Sequence, residues 1–442
     1  MSLFLQYNYF MIKKFFLTIL LSIFILSLTI LSCSSQTDGH DLIRNKDSLN
    51  MILDSYVEKG LDPVIYARLE DLDGDVLYEH SSVNRNLLPS VEVNGQTWFR
   101  VWSMSKIITI TIALDLVEDG ILSLNEPVTE YIPEFENLKV AVTKEGEILS
   151  EINSGNTEEA CPFELVSTDS VMTVSHLMNH KAGFYYAKTN IPCLDSLLAT
   201  KNLPMAENSQ ELIDRLAEMP LIQHPGTKHF YGTNTTVLGL VAERATGKSL
   251  KQLVEERLTK PLGIEGLQYG SHPNITLLPT FSAKDTILRK AYPGELDIFG
   301  PDVPDYDPTH ELYLGGEGML ATADGYADFL RMLLNRGTLN GIRFLEKETI
   351  EDIYSPHTLL DSPYGYNGYN LWVSGDSMRV KEHGEAGLWI GGGYENTHFW
   401  VDPKRNFVAI IMSQMNWKQP EGSTRDDKFR GAIYKQFWKE GR

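Results

Sequence analysis

Ser103 and Lys106 are the residues whose spacing most directly implies chemistry. They lie in Phe99-Arg100-Val101-Trp102-Ser103-Met104-Ser105-Lys106, which holds the one Ser-x-x-Lys of the sequence and leads into an apolar run. On a helix, positions i and i+3 share a face, so the serine hydroxyl and the lysine amine can meet. A serine is a weak nucleophile until a base takes its proton, and a desolvated lysine can be that base. At a helix start, backbone N–H groups would also face developing negative charge. Other clusters point to chemistry less directly. His176 and His180 have a spacing that can hold a metal, but a zinc protease would carry Glu where Leu177 stands. Asp71, Asp73 and Asp75 read as turn chemistry, because Gly74 comes too early for a calcium loop of the EF-hand type. The glycine-rich stretch 313–322 lacks the Lys-Ser/Thr of a phosphate-binding loop. No Gly-x-Ser-x-Gly elbow of the α/β-hydrolase kind is present.

Periodicity supplies the elements that must position these groups. Ile108, Ile112, Leu116 and Val117 form one stripe of a helix predicted over 107–122, closed by Asp119-Gly120. An amphipathic helix is predicted over 41–58, followed by strands at 63–69 and 76–78 joined across Asp73-Gly74. Further helices are predicted at 210–219, 235–246 and 323–335, and strands at 397–401 and 407–415. A last helix over 427–439 carries Phe429, Ile433 and Phe437 on one stripe. Strands therefore gather at both chain ends and helices in the middle, and 143–170 is the least regular segment.

The run from Ser103 through Leu122-Ser123-Leu124-Asn125-Glu126-Pro127-Val128 and Tyr131-Ile132-Pro133-Glu134-Phe135 resembles the serine β-lactamase and penicillin-binding-protein superfamily. Within it the run looks most like the class C-type branch, which includes carboxylesterases, D-amino-acid peptidases and amide hydrolases. Residues 172–184 resemble the stretch that begins a structural helix there, and 313–322 the segment that returns the chain to the sheet. The resemblance implies an α+β fold: an α/β sandwich of antiparallel sheet flanked by helices, from about 46–110 and 313–442, with an inserted all-α part over about 111–312. The site would lie at their junction.

The resemblance also assigns roles. Tyr231, in His229-Phe230-Tyr231-Gly232-Thr233-Asn234, matches the tyrosine of a Tyr-x-Asn element that relays a proton to the leaving group. Thr233 stands where Asn is usual and Asn234 comes one place late, a departure found in esterase-like relatives; both are then expected on the substrate side. Tyr394-Glu395-Asn396 also spells Tyr-x-Asn but falls too late in chain order. The family's Lys/His-Thr-Gly strand maps onto Gly391-Gly392-Gly393, which would bind substrate but carries no cation; with a shifted register His383 would supply it. The backbone N–H groups of Ser103 and Tyr394 are the expected oxyanion donors.

The chemistry these roles imply is acyl transfer through an acyl-serine on a small ester or amide, with Lys106 and Tyr231 sharing the base role and no metal or organic cofactor required. A site without a cation on that strand favours neutral substrates over those bearing a carboxylate. β-Lactams and D-alanyl-D-alanine or other D-amino-acid peptides are the alternative substrates. A non-catalytic envelope protein that binds through this fold is the alternative of another class.

The 442 residues are 42% hydrophobic and 22% charged, the balance of a folded protein. A net charge of −20 argues against binding nucleic acid or anionic membrane through charge. Lys13-Lys14, an apolar stretch over 15–31, and Ile30-Leu31-Ser32-Cys33 resemble a bacterial lipoprotein signal, with Met11 an alternative start. Residues 1–32 would be the signal peptide, Cys33 the lipidated residue, 33–45 the tether and 46–442 the hydrolase, exported and anchored to the cell envelope. A retained signal anchor is the other reading. Cys161 and Cys193 remain, either as a disulfide in an oxidising compartment or as two buried thiols.

Overall fold

Among the described residues the first helix is α1, Lys46–Glu58, whose start is capped by the Asn45 side chain and whose inner face buries Leu49, Leu53, Tyr56 and Val57. Strands β1 (Val64–Asp71) and β2 (Val76–Val83) follow as a hairpin. In its turn Asp71 Oδ1 accepts the backbone N–H of Asp73 at 3.0 Å and of Asp75 at 2.9 Å, so the acidic trio closes a turn. The structure is a computed structural model describing residues 43–152, 160–272, 274–283, 287–292, 295, 311–416 and 424–438. Met1–Arg44 form a separate unit, and the signal, the alternative start and Cys33 lie outside the described residues.

The remaining elements that matter to the site are helices α2 (Ser105–Glu118), α3 (Asn234–Thr246), α4 (Ala323–Leu334) and α5 (Arg425–Trp438). The strands are β3 (Thr358–Leu359), β4 (Gly365–Asn367), β5 (Trp372–Ser374), β6 (Trp389–Gly393), β7 (Thr397–Asp402) and β8 (Phe407–Met412). One eight-stranded sheet runs β3-β4-β5-β6-β7-β8-β1-β2 with every neighbour antiparallel. The first hairpin closes onto the last strand, from Tyr66 opposite Met412 to Asp71 opposite Phe407, which joins both chain ends in one sheet.

Successive residues of β7 face opposite sides. Phe399 meets Tyr326 of α4, ring centroids 5.6 Å apart, while Trp400 meets Phe429 of α5 at 6.3 Å. Helices therefore cover both faces, and every residue of β8 is buried. This is the expected α+β sandwich.

Helix α2 is not buried along its apolar stripe alone: Ser105 through Leu116 are all buried, so Ile108, Ile112 and Leu116 belong to a helix enclosed over most of its length. The helix does end as expected, with Asp119 as cap and Gly120 at φ +70°. Nor is the middle of the chain all-α. Lys139–Val142 pairs with Glu164–Ser167, and Leu267–Tyr269 joins Met319–Ala321, which in turn pairs with Phe99–Arg100. β-branched Val140, Val142 and Val166 favour such pairing. Cys161 and Cys193 form a disulfide, Cα atoms 5.9 Å apart, tying the irregular segment to helix Pro192–Lys201. Among the described residues no helix is long and apolar enough to cross a membrane.

Candidate active site

Ser103 lies in a short 3-10 turn, Trp102–Met104, immediately before α2. Trp102 takes φ +47°, a left-handed conformation uncommon for a bulky residue. Its buried indole is held edge-to-face by Tyr394, centroids 5.3 Å apart. The turn leaves Ser103 one helical turn from Lys106, whose Nζ donates to Ser103 Oγ at 3.0 Å. Tyr231 reaches the same oxygen from the loop before α3, its hydroxyl donating to Ser103 Oγ at 2.8 Å. Tyr231 is 43% exposed while Lys106 is fully buried, so the serine sits between an interior cation and a solvent-facing phenol.

Lys106 differs from the desolvated base that its sequence context suggests. Nζ also donates to Gly316 O at 2.8 Å and to Glu317 Oε1 at 3.2 Å. Burial pushes the amine toward its neutral form, but Tyr231 and Glu317 outweigh it, and the balance lies above the ordinary lysine value. Lys106 is thus an ammonium with a buried counter-ion.

Sequence spacing does not single out Glu317. It lies in the glycine-rich loop before Met319–Ala321, the strand that pairs with Phe99–Arg100, and that pairing carries it to the nucleophile. The signal that could have found it is Gly315-Gly316-Glu317-Gly318. A Cβ on Gly316 would come 2.9 Å from Thr236 Oγ1 and 3.2 Å from Lys106 Nζ, so only a bare backbone fits against the lysine.

His180 and His176 serve separate networks. His176 caps its own helix, Nδ1 accepting Thr173 N at 3.3 Å. His180 is buried beneath Tyr231, ring centroids 4.7 Å apart, and its Nδ1 lies 3.4 Å from Gly232 N and 3.3 Å from Asn234 Nδ2. Burial, then the nearby His229 and Lys106, push its pKa well below the usual imidazole range. It is a neutral acceptor that fixes the turn after Tyr231.

Thr233 and Asn234, expected on the substrate side, are 1% and 0% exposed. Asn234 Nδ2 faces His180 and the carbonyl of Phe184, at 3.2 Å. These residues hold the Tyr231 loop from inside and do not line the cleft. His383 is also elsewhere: its Nδ1 faces Asp427 of α5 at 3.5 Å and its carbonyl accepts Arg430 Nε at 2.7 Å. A basic group reaches the site's edge from a loop that sequence spacing does not flag, with Lys188 Nζ donating to Tyr394 OH at 2.7 Å.

Gly391, Gly392 and Gly393 form the end of β6. Strand β5 pairs with β6 only as far as Ile390, whereas β7 pairs through Gly393. Among the described residues, the edge of Gly391–393 away from β7 therefore has no strand partner. This edge borders a cleft of about 190 Å³ whose walls include Tyr231, His229, Asn370, Trp372, Ile390 and Gly392.

An antiparallel sheet covered by helices, with Ser, Lys and Tyr converging on one oxygen, defines a β-lactamase-related serine hydrolase, and this protein is an enzyme of that class. The chain belongs to the Beta-lactamase family, whose model matches residues 72–432. ML-236A carboxylate methylbutanoyltransferase of Penicillium citrinum is 25% identical over 407 residues, covering 84% of this chain and 90% of that one. Lovastatin esterase of Penicillium rubens is 26% identical over 406 residues, covering 84% and 94%. The solved structure of EstCE1, a hydrolase with promiscuous acyltransferase activity, matches the fold with a TM-score of 0.69 at 18% identity, over 88% of this chain and 98% of that one.

Proposed function

We propose that this enzyme takes the acyl group of a small ester or amide onto Ser103 and releases it to water. The observation that carries the reading is the convergence on Ser103 Oγ of Lys106 Nζ at 3.0 Å and Tyr231 OH at 2.8 Å. Ser103 Oγ attacks the carbonyl carbon as its proton passes into the Tyr231–Lys106 pair. The bond to the leaving group breaks as that proton is delivered to it. Water then repeats the sequence on the acyl-serine. The backbone N–H groups of Ser103 and Tyr394 hold the oxyanion; the contact of Trp102 with Tyr394 supports this pairing. Gly391, Gly392 and Gly393 offer substrate a bare strand edge without a cation, which supports esters and neutral amides over β-lactams.

Transfer of the acyl group to an alcohol is the second reading, favoured because a methylbutanoyltransferase and an esterase are both similar over most of their length. The Cys161–Cys193 disulfide supports an exported enzyme, held on the envelope through a lipid on Cys33.

The test compares the protein with its Ser103→Ala variant on p-nitrophenyl esters of short and branched acids, beside a chromogenic cephalosporin, with and without an added primary alcohol. Ester turnover is expected to fall by about 10³-fold or more in the variant, and mass spectrometry to find the acyl adduct only in the parent. Ester product formed with the alcohol favours the transferase reading. Fast cephalosporin cleavage contradicts the neutral-substrate assignment, and undiminished ester turnover in the variant contradicts the role of Ser103.

A further inference from the structure

Lys106 is enclosed by groups from several elements. Ser103 Oγ lies on its own turn; Tyr231 and Thr236 come from the start of α3 and the loop before it; Tyr186 and His180 come from the segment after helix Val174–Met178; Gly316 O and Glu317 come from the glycine-rich loop. The ammonium lies 5.0 Å from the Tyr231 ring centroid and 5.4 Å from that of Tyr186. His180 is neutral, as its burial requires.

Glu317 supplies the carboxylate in this shell, and it is fully buried. Oε1 accepts from Lys106 Nζ at 3.2 Å and from the Tyr186 hydroxyl, and Oε2 accepts from Thr236 Oγ1 at 2.6 Å. A carboxylate saturated with donors in this way is locked in place. A buried ammonium deprived of its counter-charge is strongly disfavoured and sheds its proton.

We infer that Glu317 is a positioning residue for acylation: its buried ion pair holds Lys106 Nζ against Ser103 Oγ and places a negative charge beside the Lys106–Tyr231 pair that takes the serine proton. This rests on the acyl-serine mechanism proposed for the enzyme. In the step, the Oγ–carbonyl carbon bond forms as the Oγ proton passes into the Tyr231–Lys106 pair, which has first given up one proton to solvent. The bond to the leaving group breaks as Tyr231 returns that proton to the departing atom. Glu317 keeps Lys106 Nζ aimed at Ser103 Oγ throughout, and the charge it places beside the pair sets the pH at which activity is lost on the alkaline side.

The test is the pH profile of kcat/KM for ester hydrolysis in the whole protein, comparing the parent, Glu317→Gln and Ser103→Ala. Glu317→Gln is expected to move the alkaline loss of activity to lower pH by about 1–3 units, while KM at the acidic side of the profile changes little. Glu317→Asp keeps the charge but withdraws it by one methylene, and is expected to shift the limb less; it carries the test should Glu317→Gln fail to fold. A uniform fall in kcat at every pH with the limb in place means that Glu317 only packs, and overturns the inference. Unchanged activity and an unchanged limb overturn it as well. Turnover that survives in Ser103→Ala marks the failure of the acyl-serine reading itself, and the inference goes with it.

Discussion

Gly393 touches the backbone of Val101: a Cβ built on Gly393 would lie 2.3 Å from the Val101 carbonyl oxygen. The end of β6 is thereby pinned to the segment that presents Ser103, two residues on. Gly393→Ala forces the two apart, because backbone cannot move aside as a flexible side chain would. Overpacking of this kind is expected to lower stability by about 1–3 kcal/mol. Misplacing strand and nucleophile by an ångström is expected to reduce kcat/KM by about 10²-fold. Urea denaturation and ester kinetics on the same variant measure both; a fully active Gly393→Ala enzyme would refute the close approach.

Asn234 distinguishes a residue that holds the site from one that touches substrate. It is buried against His180 and Phe184. Asn234→Ala strands those acceptors and is expected to lower stability by about 1–3 kcal/mol, with a fall in kcat as Tyr231 loosens and little change in KM. A raised KM with unaltered stability would return Asn234 to the substrate side.

His180 ties stability to pH. Its native pKa is depressed below the ordinary value of 6.5, by burial first and then by His229 and Lys106. As pH falls below 6.5 the unfolded chain gains a proton that the native state refuses, so this residue's contribution is present above that value and lost on acidification. His176 and His229, both lowered chiefly by burial, act in the same direction. The urea midpoint of the parent is expected to drop between about pH 7.5 and 5.5 more steeply than that of His180→Gln. Parallel slopes would show that His180 titrates alike in the native and unfolded states, contrary to its depressed native pKa.

The Cys161–Cys193 bridge closes a loop with a sequence separation of 32. Replacing both residues by serine is expected to lower stability by about 4 kcal/mol, on the chain-entropy account of such a loop. Denaturation of the parent with and without reductant should reproduce the difference. Equal midpoints for oxidised parent and variant would mean that the unfolded chain is already held together there.

Ser103 and Lys106 are legible in the sequence because their meeting is local, a matter of one turn of backbone. The 71–75 turn and the Asp119-Gly120 helix end are legible for the same reason. The sheet from both chain ends emerges from the order of strands and helices together with the family resemblance. Periodicity finds the apolar stripe of helix α2 but not the burial of its polar residues. Thr109 Oγ1 donates to Gly315 O at 2.6 Å, and Ser105 Oγ accepts Met319 N at 3.1 Å, so distant loops satisfy these hydroxyls inside the protein. Thr233 and Asn234 are misplaced by their motif because adjacency along the chain does not tell the direction in which a side chain turns.

By itself, then, the sequence determined the nucleophile, its lysine, the candidate tyrosine and the class of fold. Tertiary structure decided the charge on Lys106, through a carboxylate 211 positions away. It also decided the burial of Asn234 and the reach of Lys188 to Tyr394 across 206 positions. Protonation and burial depend on every group packed around a side chain, and most of those groups come from remote parts of the chain.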